Sequence, residues 1–369
     1  MSTGTRAPAV PTTAQSVWLV SEREIGSKLR SKPFVISSAI LLLLALAGVV
    51  WGGIAAASPP KTDVAVTSET AALVKGVDVI KATEVSDADA AIALVRKGTV
   101  EAALVPDPGG TGAIPAKIVA KDAAPSELVA VLSVSPHVEL LEKNPQNALL
   151  RYFVAIGFGV VFLMAASMFG GTIAQSVVEE KQTRVVEILI SAIPVRALLA
   201  GKVIGNTILA MAQIVALVAI ALIGLAITGQ AEVLGGLGGP IAWFAVFFLF
   251  GFILLASLFA AAGAMVSRQE DIGSTTTPLT MLILAPYILV IIFNGNPVVM
   301  GVLSYIPFSA PVAMPLRIYL GDAQWWEPLL SLVILVVTCV LAIRVGARIY
   351  QNALLRMGAR VKLSEALNA

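Results

Sequence analysis

Apolar runs long enough to cross a bilayer recur six times along the chain, at residues 34–57, 152–174, 203–228, 241–266, 277–293 and 329–343. A helix needs roughly 20 apolar residues to traverse ~30 Å of hydrocarbon, so the pattern predicts about six transmembrane helices. The fifth run holds Pro278 and Pro286, which predict a kink that neighbouring helices can accommodate. The sixth is short, but Trp325 and Trp326 just before it read as an interfacial belt. A seventh apolar stretch, 301–316, contains Pro307, Pro311 and Pro315, too many for a continuous span, and reads as a re-entrant element of short helices.

Residues 58–151 follow a different pattern, that of a small folded α+β domain. Ser86-x-x-Asp89 resembles a capping box opening a helix over 88–97, with Ala91, Leu94 and Val95 on one face and Gly98 ending it. A strand is expected over 100–105, closed by Pro106-Asp107-Pro108-Gly109-Gly110. A second strand is expected over 116–120 and a further helix over 127–132. The run Gly235-Gly236-Leu237-Gly238-Gly239 reads as a flexible turn between spans.

Composition agrees with the membrane class: 57% of residues are hydrophobic and 13% charged, against ~25% charged in a soluble domain. Lys and Arg fix an orientation. Fifteen lie in residues 1–33, 175–202, 267–276 and 344–369, against one, Arg317, in 229–240 and 294–328. By the positive-inside rule both termini face the cytoplasm and 58–151 is extracytoplasmic. Ala55-Ala56-Ala57-Ser58 has the small residues of a signal cleavage site. The apolar run before it is too long and starts too late for a signal peptide, so an uncleaved anchor is expected.

The chemistry that is missing narrows the function. The apolar runs contain no Asp, Glu, Lys, Arg or His, so an ion-driven carrier has no relay at membrane depth. One histidine, His137, excludes an H-E-x-x-H protease, and His137 itself reads as a surface or packing residue. One cysteine, Cys339, excludes a disulfide framework and a multi-cysteine metal site. No phosphate-binding loop occurs, since Gly201-Lys202 lacks the spacing and the hydroxyl. No catalytic, cofactor or metal site is expected, and no nucleic-acid partner.

One dense charged string remains, Glu179-Glu180-Lys181-Gln182-Thr183-Arg184-Val185-Val186-Glu187-Ile188-Leu189. As one helix it would carry Glu180, Arg184 and Glu187 on a polar face beside an apolar stripe of Val178, Val185 and Leu189, with Pro194 ending it. Glu180 before Arg184 is the favourable i, i+4 order, although an exposed pair contributes only ~0–1 kcal/mol. The bland reading is a helix resting on the inner leaflet.

From Glu179 through Pro194 to Gly201-Lys202 the string resembles the signature of type-two ABC exporter permeases, most closely the sodium-extrusion permease branch. The layout resembles that family over nearly the full chain. The resemblance implies an all-α polytopic membrane protein with an inserted α+β extracytoplasmic domain. Its parts would be an N-terminal segment 1–33, a first span 34–57, the domain 58–151, five further spans within 152–348 and a cytoplasmic tail 349–369. It implies a coupling helix at 175–193, in which Glu179, Glu180, Lys181, Arg184 and Glu187 contact a cytoplasmic ABC ATPase subunit that binds ATP and Mg. It also implies a second permease copy or homologue, and an interfacial helix over 17–32 with Trp18, Ile25 and Leu29 along one side. The apolar spans suit a hydrophobic or amphiphilic cargo at least as well as sodium. A non-transporting membrane scaffold or receptor with a ligand-binding outer domain is the alternative, and a channel a third.

Overall fold

A computed structural model describes residues 12–57, 61–107, 114–121, 124–132, 148–227, 231–354 and 363–368. His137 and the Pro108-Gly109-Gly110 part of the expected turn lie outside the described residues. In chain order the elements begin with helices α1 (Thr13–Arg30) and α2 (Lys32–Ala57). A sheet-bearing segment follows: β1 (Thr62–Thr67), α3 (Ala71–Val74), β2 (Ile80–Val85), α4 (Ala88–Lys97), β3 (Ala102–Pro106), β4 (Ala116–Ala120) and α5 (Ser126–Leu132). Helices then follow throughout: α6 (Ala148–Gln182), α7 (Val185–Ala192), α8 (Val195–Ile227), α9 (Ala231–Ala264), α10 (Ile272–Ile292), α11 (Pro297–Leu303), α12 (Ala310–Leu320), α13 (Glu327–Leu354) and α14 (Leu363–Asn368). Contacts divide the chain into a helical unit and a smaller unit, Trp51–Asn144.

Among the described residues, six helices are long and apolar enough to span a membrane: Lys32–Val50, Val154–Gln182, Val195–Gly224, Gly236–Ala264, Gln269–Ile292 and Glu327–Leu354. The helical unit is built around α9, whose span is 67% buried against 17% for that of α10 and 0% for that of α2. Phenylalanines zip α9 to α6: Phe158 stacks on Phe244 with centroids 4.9 Å apart, and Phe162 and Phe169 meet Phe248 and Phe252 edge-on at 5.9 and 6.0 Å. Both sets rise in number together, so α6 and α9 run parallel. Such aromatic pairs contribute about 0.5–1.5 kcal/mol each beyond area burial.

One expectation needs correction. The Gly235–Gly239 run is helical and opens α9 rather than forming a turn. Glycine costs about 1 kcal/mol in a helix, but backbone groups near hydrocarbon must pair within their own helix, and that requirement prevails. Helix α10 runs through Pro278 and Pro286 without interruption. The 301–316 stretch resolves into α11 and α12, the latter buried along most of its length, with Pro311 near its start and Pro315 inside.

The smaller unit is a four-stranded sheet of order β2-β1-β3-β4, parallel except for the antiparallel β3–β4 pair. Val64, Val66, Ala102 and Leu104 bury one face with Val74 and Leu128; Ala65, Ala103 and Val105 bury the other with Ala91 and Val95. Helix α4 has the expected bounds, but its cap lies one residue later than the box predicts. Asp87 accepts from the Ala90 amide at 2.8 Å, and Ser86 donates to Asp87.

Candidate functional site

Buried charge concentrates where α1 crosses α8 and its side chains reach the end of α6. Gly201-x-x-x-Gly205 on α8 removes the side chains that would keep the two backbones apart. A Cβ on Gly205 would stand 2.9 Å from the Ser21 carbonyl oxygen, and one on Gly201 2.9 Å from that of Val17. Small residues at this spacing permit close helix approach. Ser21 Oγ fastens the crossing by donating to the carbonyls of Gly201 (3.0 Å) and Val17 (2.9 Å).

The close approach buries an ionic cluster. Lys202, fully buried on α8, donates to Glu24 Oε1 of α1 at 2.8 Å and to Ser176 Oγ of α6 at 3.0 Å. Glu180 Oε2 of α6 lies 3.0 Å from the same ammonium, an ion contact without hydrogen-bond alignment. Arg23 donates to Glu180 Oε1 and stands 3.4 Å from Glu24. Two carboxylates thus share a buried lysine and a half-exposed arginine, linking three helices. Burial alone would raise the Glu24 pKa, but Lys202, with Arg23 and Lys28, holds the carboxyl below its usual range. Burial pushes Lys28 down to about 8, against the pull of Glu24 and Glu179 and with the repulsion of Lys202.

The charged string does not form one helix. It ends α6 at Gln182, passes through Arg184 in a left-handed conformation (φ 58°) and restarts as α7. The expected Glu180–Arg184 pair is therefore absent. Glu180 turns inward to Arg23 and Lys202, while Arg184 is exposed at the start of α7. Val178 is buried and Val185 exposed, so the expected stripe is also divided.

Lys181 is buried and donates to the carbonyls of Ala264 and Ala353, both at 2.9 Å, at the C-terminal ends of α9 and α13. A cation there meets the negative ends of two helix dipoles. Glu179, Arg184 and Glu187 remain outward, with Ile188 beside them 72% exposed. On α1, Trp18 and Leu29 are exposed and Ile25 is half-buried against the helical core.

Sequence reasoning missed Arg23 and Glu24 and quoted Lys202 only as the end of the family string, without a role, although Gly201-x-x-x-Gly205 signals a close crossing. It also missed a second cluster. Arg317 of α12 reaches Ser304 Oγ (2.9 Å), the Asp322 carbonyl (3.0 Å) and Glu327 of α13 (2.8 Å), and Tyr305 donates to Glu327 at 3.2 Å. Among the described residues no group of His, Cys, Asp and Glu is arranged to hold a metal ion.

Six helices of spanning length and apolarity among the described residues, two of them tied to α1 by the ionic strap, define a multi-pass membrane protein. Residues 32–348 match the model of the ABC-2 family transporter proteins, and the chain belongs to that family, a membrane transport component. It is 31% identical over 219 residues to the uncharacterized protein YhaP of Bacillus subtilis, covering 54% of this chain and 52% of that one. It is 29% identical over 213 residues to the uncharacterized protein MJ1024 of Methanocaldococcus jannaschii, covering 57% and 52%. The chain spans about half the length of these curated relatives. No solved structure matches it.

Proposed function

We propose that this chain is the membrane-spanning permease of an ATP-driven exporter in the bacterial cell membrane, energised by separate cytoplasmic ATPase subunits. Both termini lie in the cytoplasm in this reading, and residues 58–151 outside. Helix α7 is the docking element with the adjoining end of α6, and the contact residues are Glu179 of α6, Arg184 at the start of α7 and Glu187 of α7, around the exposed Ile188. Glu180 and Lys181 belong instead to the linkage behind it. One observation carries this reading: the end of α6, from which α7 follows after a short turn, is held by a buried ionic joint that ties α1, α6 and α8 together. A push on α7 reaches the spans through the end of α6, where Glu180 and Lys181 are paired.

Trp18 and Leu29, exposed on α1, rest in the inner interface, where amphipathic aromatic and aliphatic side chains partition. The largely unburied span of α2 suits a second copy of the permease beside it. An apolar groove of about 530 Å³ between α2, α6 and α10, walled by Ile40, Leu44, Met164 and Leu284, suits a hydrophobic or amphiphilic cargo.

The test is co-purification of the ATPase subunit from native membranes. Glu187→Arg with Ile188→Asp should leave the chain in the membrane at normal levels and weaken the complex by about 2 kcal/mol or more, thirtyfold in Kd. Normal association and normal transport in that variant would reduce α7 to a helix lying on the leaflet.

A further inference from the structure

A second groove, of about 990 Å³, opens between α8, α9 and α13, away from the ionic strap and the α2–α6–α10 groove. Its rim carries Arg196 in the first turn of α8 and Arg344 and Arg348, one turn apart, on α13. All three are exposed, and none forms an ion pair among the described residues. The N-terminal end of α8 adds its own partial positive charge there. Beyond the rim the wall is apolar, with Val203, Ile208 and Ile253. Thr207 and Ser257 also line it, but their hydroxyls donate to the Val203 and Ile253 carbonyls of their own helices, at 2.7 and 2.8 Å, and so present little unmet polarity. From Arg196 to Ile208 the groove follows α8 for about 18 Å at 1.5 Å per residue, close to the ~15 Å depth of one leaflet.

We propose that this groove is a binding site for an anionic phospholipid of the cytoplasmic leaflet, its headgroup held by Arg196, Arg344 and Arg348 and its acyl chains laid along α8 and α9. Three unpaired guanidinium groups match a phosphate, for which Arg offers forked donors, and the apolar wall below them matches what a lipid carries behind its headgroup. A soluble acidic partner would use the arginines but leave the wall exposed. The site follows from the charge and shape of this face and does not depend on α7 being an ATPase dock.

The experiment is native mass spectrometry of the purified full chain, delipidated and then titrated with phosphatidylglycerol or phosphatidylcholine in mixed micelles. The wild type should retain phosphatidylglycerol preferentially. Each basic residue near an anionic surface is worth about a fivefold preference, so Arg344→Gln with Arg348→Gln should lower retention about thirtyfold. Phosphatidylcholine binding should hardly change. Ile253→Trp, which fills the wall, should lower retention of both lipids while leaving the arginines in place. Because the arginines are exposed, the double variant should keep the wild-type thermal midpoint. Equal retention of the two lipids by the wild type would overturn the proposal. So would displacement of bound lipid by glycerol phosphate at equal concentration, which would mark a free-anion site. Unchanged lipid selectivity in the double variant with loss of a co-purifying ATPase subunit would overturn it in favour of a protein interface.

Discussion

Lys202 carries its charge where no water reaches it, and a lone ammonium in that position would cost several kcal/mol. Glu24 and Glu180 offset that cost, and the arrangement is sensitive to removal of any member. Lys202→Met should destabilise the chain by about 3 kcal/mol, the lower end of the usual range because Arg23 still reaches both carboxylates. The exposed Arg268–Glu270 pair serves as the control; Arg268→Gln should cost under about 1 kcal/mol. Thermal midpoints in detergent compare the two, and equal losses would mean that burial adds nothing to the strap.

Protons act on the same joint from two sides. Glu24 has a lowered pKa, so its contribution is complete above the ordinary carboxylate range and disappears as pH falls through the depressed value. Lys28 faces Glu24, Lys202 and Glu179, and its pKa is lowered from 10.5 to about 8. Between those values the unfolded chain holds a proton that the folded chain has shed, so stability rises with pH across that window. A Lys28→Gln variant should lack this alkaline rise. Identical midpoint-against-pH curves for wild type and variant between pH 8 and 10 would remove Lys28 from the account.

At the level of elements, the α1–α8 crossing depends on two missing side chains. Gly205→Val would drive branched carbons into the Ser21 carbonyl, which would already stand 2.9 Å from a plain Cβ. Helix α1 should lift off, and trypsin should then cut at Arg23 or Lys28 at least tenfold faster than in the wild type. An unchanged digestion rate would show that the helices separate without loss of order.

The number of spans was legible in the sequence because length and hydrophobicity are local properties. Their ends were not. The apolar count stops at the first polar residues, Gln175 and Ser176, but α6 continues to Gln182, where Glu180 and Lys181 find partners on other helices. Periodicity gave no sign of the left-handed Arg184, since a helical pattern continues across it unbroken on paper. Strand β2 was missed for a related reason: of its six residues only Ile80 is buried, so little apolar signal marks it.

At the scale of the molecule, the proposed orientation rests on the fifteen basic residues counted in the sequence segments assigned to the cytoplasm, and impermeant thiol labelling tests it in a background without Cys339. A cysteine replacing Asp107 should react in intact cells, and one replacing Glu187 should react only after lysis. Labelling of the Glu187 position in intact cells would invert the molecule and move both proposed cytoplasmic surfaces outside.

Lys181 sets a mechanical limit on such a molecule. Its ammonium nails the end of α6 to the ends of α9 and α13 through two carbonyls, so these three helices share a fulcrum on one side of the bilayer. Any rocking among them must be widest at the opposite ends, where Arg317 and Glu327 form the catch between α12 and α13. A load applied at α7, which begins four residues past the nail, would then act on the short arm of a lever whose long arm opens outward.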